Sequence, residues 1–195
     1  HANPEPLIFD IANHSINFQF QPLDFIQVNA KMNEALIDQS ISLLEPQSDD
    51  VILDLFCGLG NFSLPLAKLA SEVVGIEGDQ NLVSRAKENA IRNHIDNVNF
   101  FAADLNQPIS AQWWKPKHFN KILLDPPRAG AIEVLKQLNL QGVNKIVYIS
   151  CHPASLARDA GYLVNERGYR LVKAGAMDMF PQTAHVESIA VFEAQ

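Results

Sequence analysis

Apolar positions along the chain fall into two rhythms. In the first 28 residues the pattern is short and extended: Ile16, Phe18 and Phe20 alternate with polar neighbours, as on a half-buried strand. Asn29 then supplies an N-cap for a helix carrying Leu36, Ile37, Ile41 and Leu44, which stops before Pro46. Beyond it, near-continuous apolar runs recur at residues 51–55, 73–76, 98–101, 122–124 and 146–149. Helical patterns separate most of them; Leu82, Val83, Ala86, Ala90 and Ile91 make the one after the second run. Strands buried on both faces read as continuous apolar runs, so this alternation predicts a parallel sheet wrapped by helices. Two more extended segments, 169–173 and 186–192, close the chain without a comparable helix between them, which fits a last strand returning antiparallel. The expected architecture is α/β: a doubly wound, mostly parallel seven-stranded sheet. Residues 1–28 are expected as a short extended segment and 29–195 as the main domain. Residues 107–116, with Trp113 and Trp114, read as an irregular surface excursion in which the tryptophans anchor a packed loop.

Composition narrows the class. Of 195 residues, 47% are hydrophobic and 19% charged, the balance of a folded domain and not of a disordered one. No apolar run is long enough to span a bilayer, and no basic-then-apolar leader opens the chain, so no membrane and a cytoplasmic setting are expected. The two cysteines, Cys57 and Cys151, are too few for a disulfide framework, and nothing has metal-ligand spacing; no metal is expected. A net charge of −7 argues mildly against nucleic acid as a partner, because phosphate contacts usually come from a basic face.

The unusual residue runs all follow strands, where open α/β sheets bind ligands. After the first strand comes Asp54-Leu55-Phe56-Cys57-Gly58-Leu59-Gly60-Asn61-Phe62. Gly58 and Gly60 let the backbone turn tightly and approach a ligand. Glu77, ending the next strand, suits the two hydroxyls of a ribose, and Asp104, after the third, an adenine amino group. A nicotinamide dinucleotide would want a third glycine, so that a helix N-terminus can hold pyrophosphate; Ser63 stands there. S-adenosylmethionine has no phosphate and needs none. The fourth strand ends in Asp125-Pro126-Pro127-Arg128, whose prolines hold Asp125 at the sheet edge. Amine-methylating enzymes use a related motif with an aromatic residue where Arg128 stands. A cysteine after a buried strand is ordinarily an inert apolar group. Cys151, however, sits where a strand feeds a helix starting at Pro153, a place whose N–H groups favour a thiolate, and it shares the cofactor edge.

These runs carry a resemblance. FIQVN (25–29), DLFCGLGNFSLPLA (54–67), IEGD (76–79), LDPPRAG (124–130), YISCHPASLARD (148–159) and DMFPQTAHVES (178–188) resemble the bacterial uracil-C5 RNA methyltransferases, most of all the type acting on 23S ribosomal RNA. The resemblance covers residues 15–193 and implies a class I, Rossmann-like fold with S-adenosylmethionine as cofactor and RNA as partner. It implies cofactor contacts at Gln27, Phe56, Asn61, Glu77, Asp104 and Asp125, alongside the glycine loop at Gly58. It implies Cys151 as the nucleophile that adds to uracil C6, and Glu187 as the base that removes the C5 proton, with Asp125 between them. His152 stands where the family usually has Asn. Members of this type also carry a TRAM RNA-binding domain and an iron–sulfur domain upstream. The cluster and the basic RNA-gripping surface are therefore expected there and not in these residues. Competing readings are a tRNA-directed member, a cytosine-C5 or amine methyltransferase on the same fold, and a cofactor-binding domain inactive alone. His185 is expected as a local hydrogen-bonding residue.

Overall fold

The computed structural model describes residues 7–24, 27, 29–107, 118–178 and 186–195. It opens with an antiparallel hairpin, β1 (Leu7–Ile11) and β2 (Ile16–Phe20), joined through a 3-10 turn at Ala12–His14. Then follow α1 (Ala30–Leu44), β3 (Val51–Leu55), α2 (Ser63–Ala67), β4 (Glu72–Glu77), α3 (Gln80–Arg92), β5 (Val98–Ala102) and β6 (Lys121–Leu124). The chain closes with α4 (Ile132–Gln137), β7 (Lys145–Ser150), α5 (Pro153–Glu166), β8 (Tyr169–Asp178) and β9 (Val186–Ala194). The seven-stranded sheet runs in the order β5-β4-β3-β6-β7-β9-β8, and β9 alone is antiparallel to its neighbours. This is the expected doubly wound, mostly parallel sheet, with its last strand reversed.

Alternation along each strand divides the core between the two faces of the sheet. Ile52, Val73, Leu123, Val147 and Val191 belong to one buried cluster, with Leu36, Ile37 and Leu44 of α1. Leu53, Leu55, Val74, Ile122, Leu124, Tyr148 and Phe192 belong to the other, against α4 and α5. Asn29 caps α1 by accepting a hydrogen bond from the Met32 N–H, and the helix ends at Glu45 in a left-handed conformation, one residue before Pro46. One expected core position departs. In α3 the buried stripe is Val83, Ala86 and Ala90, whereas Ile91 is 75% exposed, because it lies about 100° further round the helix.

The hairpin is bound to this body by apolar burial and by amides. Ile11, Ile16 and Phe18 enter the first core cluster. Asn89 of α3 and Asn93, which caps the end of that helix, lie one turn apart and stand in for a neighbouring strand. Asn89 accepts from the Gln19 N–H at 2.9 Å and donates to its carbonyl at 3.2 Å. Asn93 accepts from the Asn17 N–H and donates to the Asn17 carbonyl, both at 2.8 Å. Because β2 presents alternate residues to one side and the helix presents every fourth, the two periods match here, and the buried Asn89 is satisfied. Arg85, one turn earlier, pairs with Asp24.

The opposite, N-terminal ends of the parallel strands are closed by ions. Lys121 and Asp50, both buried, pair at 2.7 Å. Lys145 pairs with Glu45 and, at 3.4 Å, with Glu193, which also holds Arg170 at 2.9 Å. Among the described residues no helix is long and apolar enough to cross a membrane.

Candidate active site

From β3 the chain steps to β4 and β5 on one side and returns to β6 and β7 on the other. The loops leaving β3 and β6 therefore diverge, and a crevice opens at their carboxyl ends. A cavity of about 590 Å3 occupies that place. Gln27, Phe56, Gly58, Asn61, Glu77 and Asp104 line it. So do Asp125, Cys151 and Glu187. Residues from Gln27 to Glu187 are thus brought to one edge by the ends of several strands and the loops beside them.

The first loop is built under strain. Phe56 has φ 65°, a left-handed conformation rarely adopted by a bulky side chain, and Gly58 follows at φ 54° and Gly60 at φ 90°. The Cys57 N–H holds the turn to the Ile76 carbonyl at 3.0 Å. At Gly58 a Cβ would meet nothing within 4 Å, so the missing side chain leaves open room beside the backbone. Gly60 differs: a Cβ there would press on Phe100 at 3.1 Å and Leu64 at 3.2 Å. Ser63, where a dinucleotide fold would have its third glycine, is fully buried and donates to Asp54 at 2.5 Å. The other oxygen of Asp54 has no hydrogen-bond partner among the described residues, and burial pushes this carboxyl up to about 7, with Asp125 and Glu77 adding repulsion.

Glu77 is held by backbone donors on both oxygens: the Gly58 N–H at 3.0 Å on one, and the Gly78 and Asp79 N–H groups at 2.7 and 3.1 Å on the other. Its orientation is fixed with acceptor capacity to spare. Asp104 closes an Asx turn by accepting from the Asn106 N–H at 2.9 Å. Asn61 exchanges two hydrogen bonds with Asn33 of α1, at 2.9 and 3.0 Å. Sequence reading missed Asn33, because a mid-helix Asn ordinarily signals a solvated face.

The second half of the cavity joins β6, β7 and β9. The loop after β6 is braced from α5: Asp159 accepts from the Ala131 N–H at 2.6 Å, and Arg158 donates to the Ala129 carbonyl at 2.8 Å. At the end of β7, Ser150 accepts from the His152 N–H at 3.1 Å, and His152 caps α5 by accepting from the Ser155 N–H at 3.4 Å. These bonds shape the turn that presents Cys151. In the antiparallel pairing of β7 with β9, Ser150 faces Ser188, and the residues adjoining that pair, Cys151 and Glu187, both line the cavity.

Electrostatics at Cys151 differ from the sequence expectation of a favoured thiolate. Burial raises the thiol above its ordinary value, Glu187 and Asp125 push it the same way, and Arg128 opposes them. Asp125 itself is pushed up to about 7 by burial and by Glu187. Arg128 is the one basic side chain among the described residues lining the cavity, against the carboxylates of Glu77, Asp104, Asp125 and Glu187. Such a cavity repels polyanions and suits a cationic, phosphate-free ligand. Trp113, Trp114 and His185 lie outside the described residues, as do parts of the segments 25–29 and 178–188.

The comparisons with known proteins agree with this geometry. The tRNA (Uracil-5-)-methyltransferase family matches residues 7–195. The 23S rRNA (uracil(1939)-C(5))-methyltransferase RlmD of Stenotrophomonas maltophilia (strain K279a) is 63% identical over 188 residues, which are 96% of this chain and 42% of that protein. RlmD of Xanthomonas axonopodis pv. citri (strain 306) is 62% identical over the same shares. The chain thus spans under half the length of the curated relatives it matches. Among solved structures, the Pyrococcus abyssi tRNA (uracil-54, C5)-methyltransferase in complex with S-adenosyl-L-homocysteine superposes with a TM-score of 0.81 at 30% identity, over 97% of this chain and 45% of that one. M. jannaschii TYW2 in complex with AdoMet, at 16% identity and a TM-score of 0.69, shares the fold. On the family match across nearly its whole length and on the identity to these relatives, the chain belongs to the RNA uracil-C5 methyltransferase family.

Proposed function

We propose that this chain carries the methyl-transfer site of an enzyme that uses S-adenosylmethionine to methylate uracil C5 in RNA, through a covalent adduct of Cys151 with uracil C6. The observation that carries the reading is the meeting of Cys151, Asp125 and Glu187 with the strained glycine loop in one cavity. Residues 29–195 make the catalytic unit, with the hairpin of β1 and β2 packed into its core. The RNA is 23S ribosomal RNA, on the 63% identity to RlmD against 30% to the tRNA-modifying enzyme. The setting is the cytoplasm. An iron–sulfur cluster belongs to an upstream domain and not to these residues.

The cavity fits this cofactor. Glu77 takes the ribose hydroxyls, Asp104 the adenine, and Phe56, Gly58, Asn61 and Gln27 the remainder, while Asp125 bounds the methyl-bearing side. The crowd of carboxylates attracts the ammonium and sulfonium charges and would repel the pyrophosphate of a dinucleotide. When bound, S-adenosylmethionine supplies an electrophilic methyl group on that sulfonium.

Uracil C5 alone is a weak nucleophile. The Cys151 sulfur adds to C6, its thiol proton passing to a neighbouring carboxylate, and the electron pair of the C5–C6 double bond moves towards O4 as an enolate. With the cofactor bound, the enolate pair would take up its methyl group at C5, the methyl–sulfur bond breaking with its electrons left on the sulfur. Glu187, in the same cavity as Cys151, removes the C5 proton; the double bond re-forms and the C6–S bond breaks, releasing the thiolate. Asp125, held near neutrality, hydrogen-bonds the uracil edge. The base must stand out of its stack for its C6 face to meet Cys151.

Incubation of the protein with S-adenosylmethionine and RNA carrying 5-fluorouridine at the target tests this. Fluorine at C5 cannot leave as a proton, so the adduct stalls, and its mass is protein, RNA and one methyl. Normal methylation of uridine RNA with no stalled adduct would remove the covalent step. Mapping 5-methyluridine in ribosomal and transfer RNA from cells lacking and regaining the protein separates the two substrates.

A further inference from the structure

Asn33 is buried to 3% exposure in the body of α1, and it is not among the residues that line the cavity. Its amide and that of Asn61 exchange one hydrogen bond each way, at 3.0 and 2.9 Å. Such a cyclic amide pair uses one N–H and one carbonyl lone pair of each side chain and leaves each with one more of both. Rotating either amide by half a turn would set oxygen against oxygen and nitrogen against nitrogen. The pair therefore locks the face of Asn61: its spare donor and spare acceptor have a fixed order along the cavity wall. The same pair ties the start of α1 to the glycine loop. Gln27 lies just before that helix, and the Asn33 N–H donates to the carbonyl of the N-cap Asn29 at 2.8 Å.

We propose that Asn33 is a positioning residue for the amino-acid end of the cofactor, acting through Asn61. This rests on the cofactor reading above. With Glu77 given to the ribose and Asp104 to the adenine, Asn61 and Gln27 are left for the end that carries an ammonium and a carboxylate side by side. Recognising that pair requires an acceptor facing the ammonium and a donor facing the carboxylate, in one order only. A freely flipping amide would present the wrong order half the time.

The test compares two ligands by calorimetry: S-adenosylhomocysteine, and 5′-methylthioadenosine, which keeps the nucleoside and lacks the amino-acid end. Asn33→Ala weakens S-adenosylhomocysteine binding on the order of tenfold and leaves 5′-methylthioadenosine binding unchanged. Asn33→Asp keeps the shape and the acceptor but loses the donor; it shows the same selectivity even where the alanine variant folds poorly. In the Asn61→Ala background, Asn33→Ala costs no further affinity, because its effect passes through that side chain. Equal weakening of both ligands would make Asn33 a merely structural residue, and unchanged affinity for both would also overturn the proposal. Failure of the parent protein to bind either ligand would instead overturn the cofactor reading itself.

Discussion

The two ends of the one sheet use their charges in opposite ways. At the N-terminal end every acid named above has a cation: Asp50 has Lys121, Glu45 has Lys145, and Glu193 has both Lys145 and Arg170. At the carboxyl end Asp54, Glu77, Asp104, Asp125 and Glu187 crowd together, and Arg128 is the one basic side chain among the described residues lining the cavity. Two of those acids are pushed up to about 7. Glu45 and Glu193 are held below the ordinary carboxylate range, chiefly by hydrogen bonds to Lys145 and Arg170 respectively. One end is an electrostatic closure; the other stores repulsion that a cationic ligand relieves.

The contrast breaks most visibly at Cys151. Cys151→Ala is expected to abolish methyl transfer and every RNA adduct while leaving the melting temperature unchanged; residual turnover, followed by methyl incorporation, would take the nucleophile's role from it. Glu187→Gln should slow turnover by about 10²-fold or more and accumulate the methylated adduct, read by mass. At the opposite end the effect moves to stability. Lys121→Ala strands the buried Asp50 carboxylate and should cost about 3–5 kcal/mol in denaturant unfolding. Cofactor affinity in the molecules that remain folded should not change. Glu77→Ala is smaller, weakening S-adenosylhomocysteine binding by about 10- to 100-fold through the loss of charge-assisted hydrogen bonds.

The smallest effect is in pH dependence, and the two ends carry opposite signs. Between about pH 4 and 7 the unfolded chain has released the protons that Asp54 and Asp125 keep when folded, so their contribution makes stability fall as pH rises through that window, then level off. Asp54→Asn should flatten the fall, measured as melting temperature against pH. Glu45 and Glu193 contribute stability that is present above their ordinary range and lost as pH falls through their lowered values, so the acid limb should persist in that variant. A slope between pH 4 and 7 as steep as the parent's would show Asp54 ionising normally.

What the sequence made legible divides along local and long-range lines. The apolar runs declared β3, β4, β6 and β7 because strands buried on both faces need apolar residues at every position, and the Asn29 cap declared the start of α1. The run around Gly58 and the acids Glu77 and Asp104 stood out because each follows a strand. Asn33, Asn89 and Asn93 did not stand out: each satisfies an amide partner tens of residues away, and an asparagine in a helix reads the same whether it faces water or a distant loop. The pairing of Lys121 with Asp50 was hidden for the same reason. The raised thiol of Cys151 was hidden because the helix start that favours a thiolate is local, whereas the carboxylates that oppose it arrive from β6 and β9.

The reversed last strand has a consequence for how this site tolerates change. Glu187 is brought to the cavity it shares with Cys151 by strand pairing, with its neighbour Ser188 against Ser150. Strand registers move only in whole residues, and a slip of one turns every side chain to the other side of the sheet. The position of Glu187 relative to the end of β7 is therefore quantised. One residue inserted between 187 and 189 would replace the carboxylate with a group pointing the wrong way. The first residues of β9 therefore behave as a ratchet with a single permitted tooth.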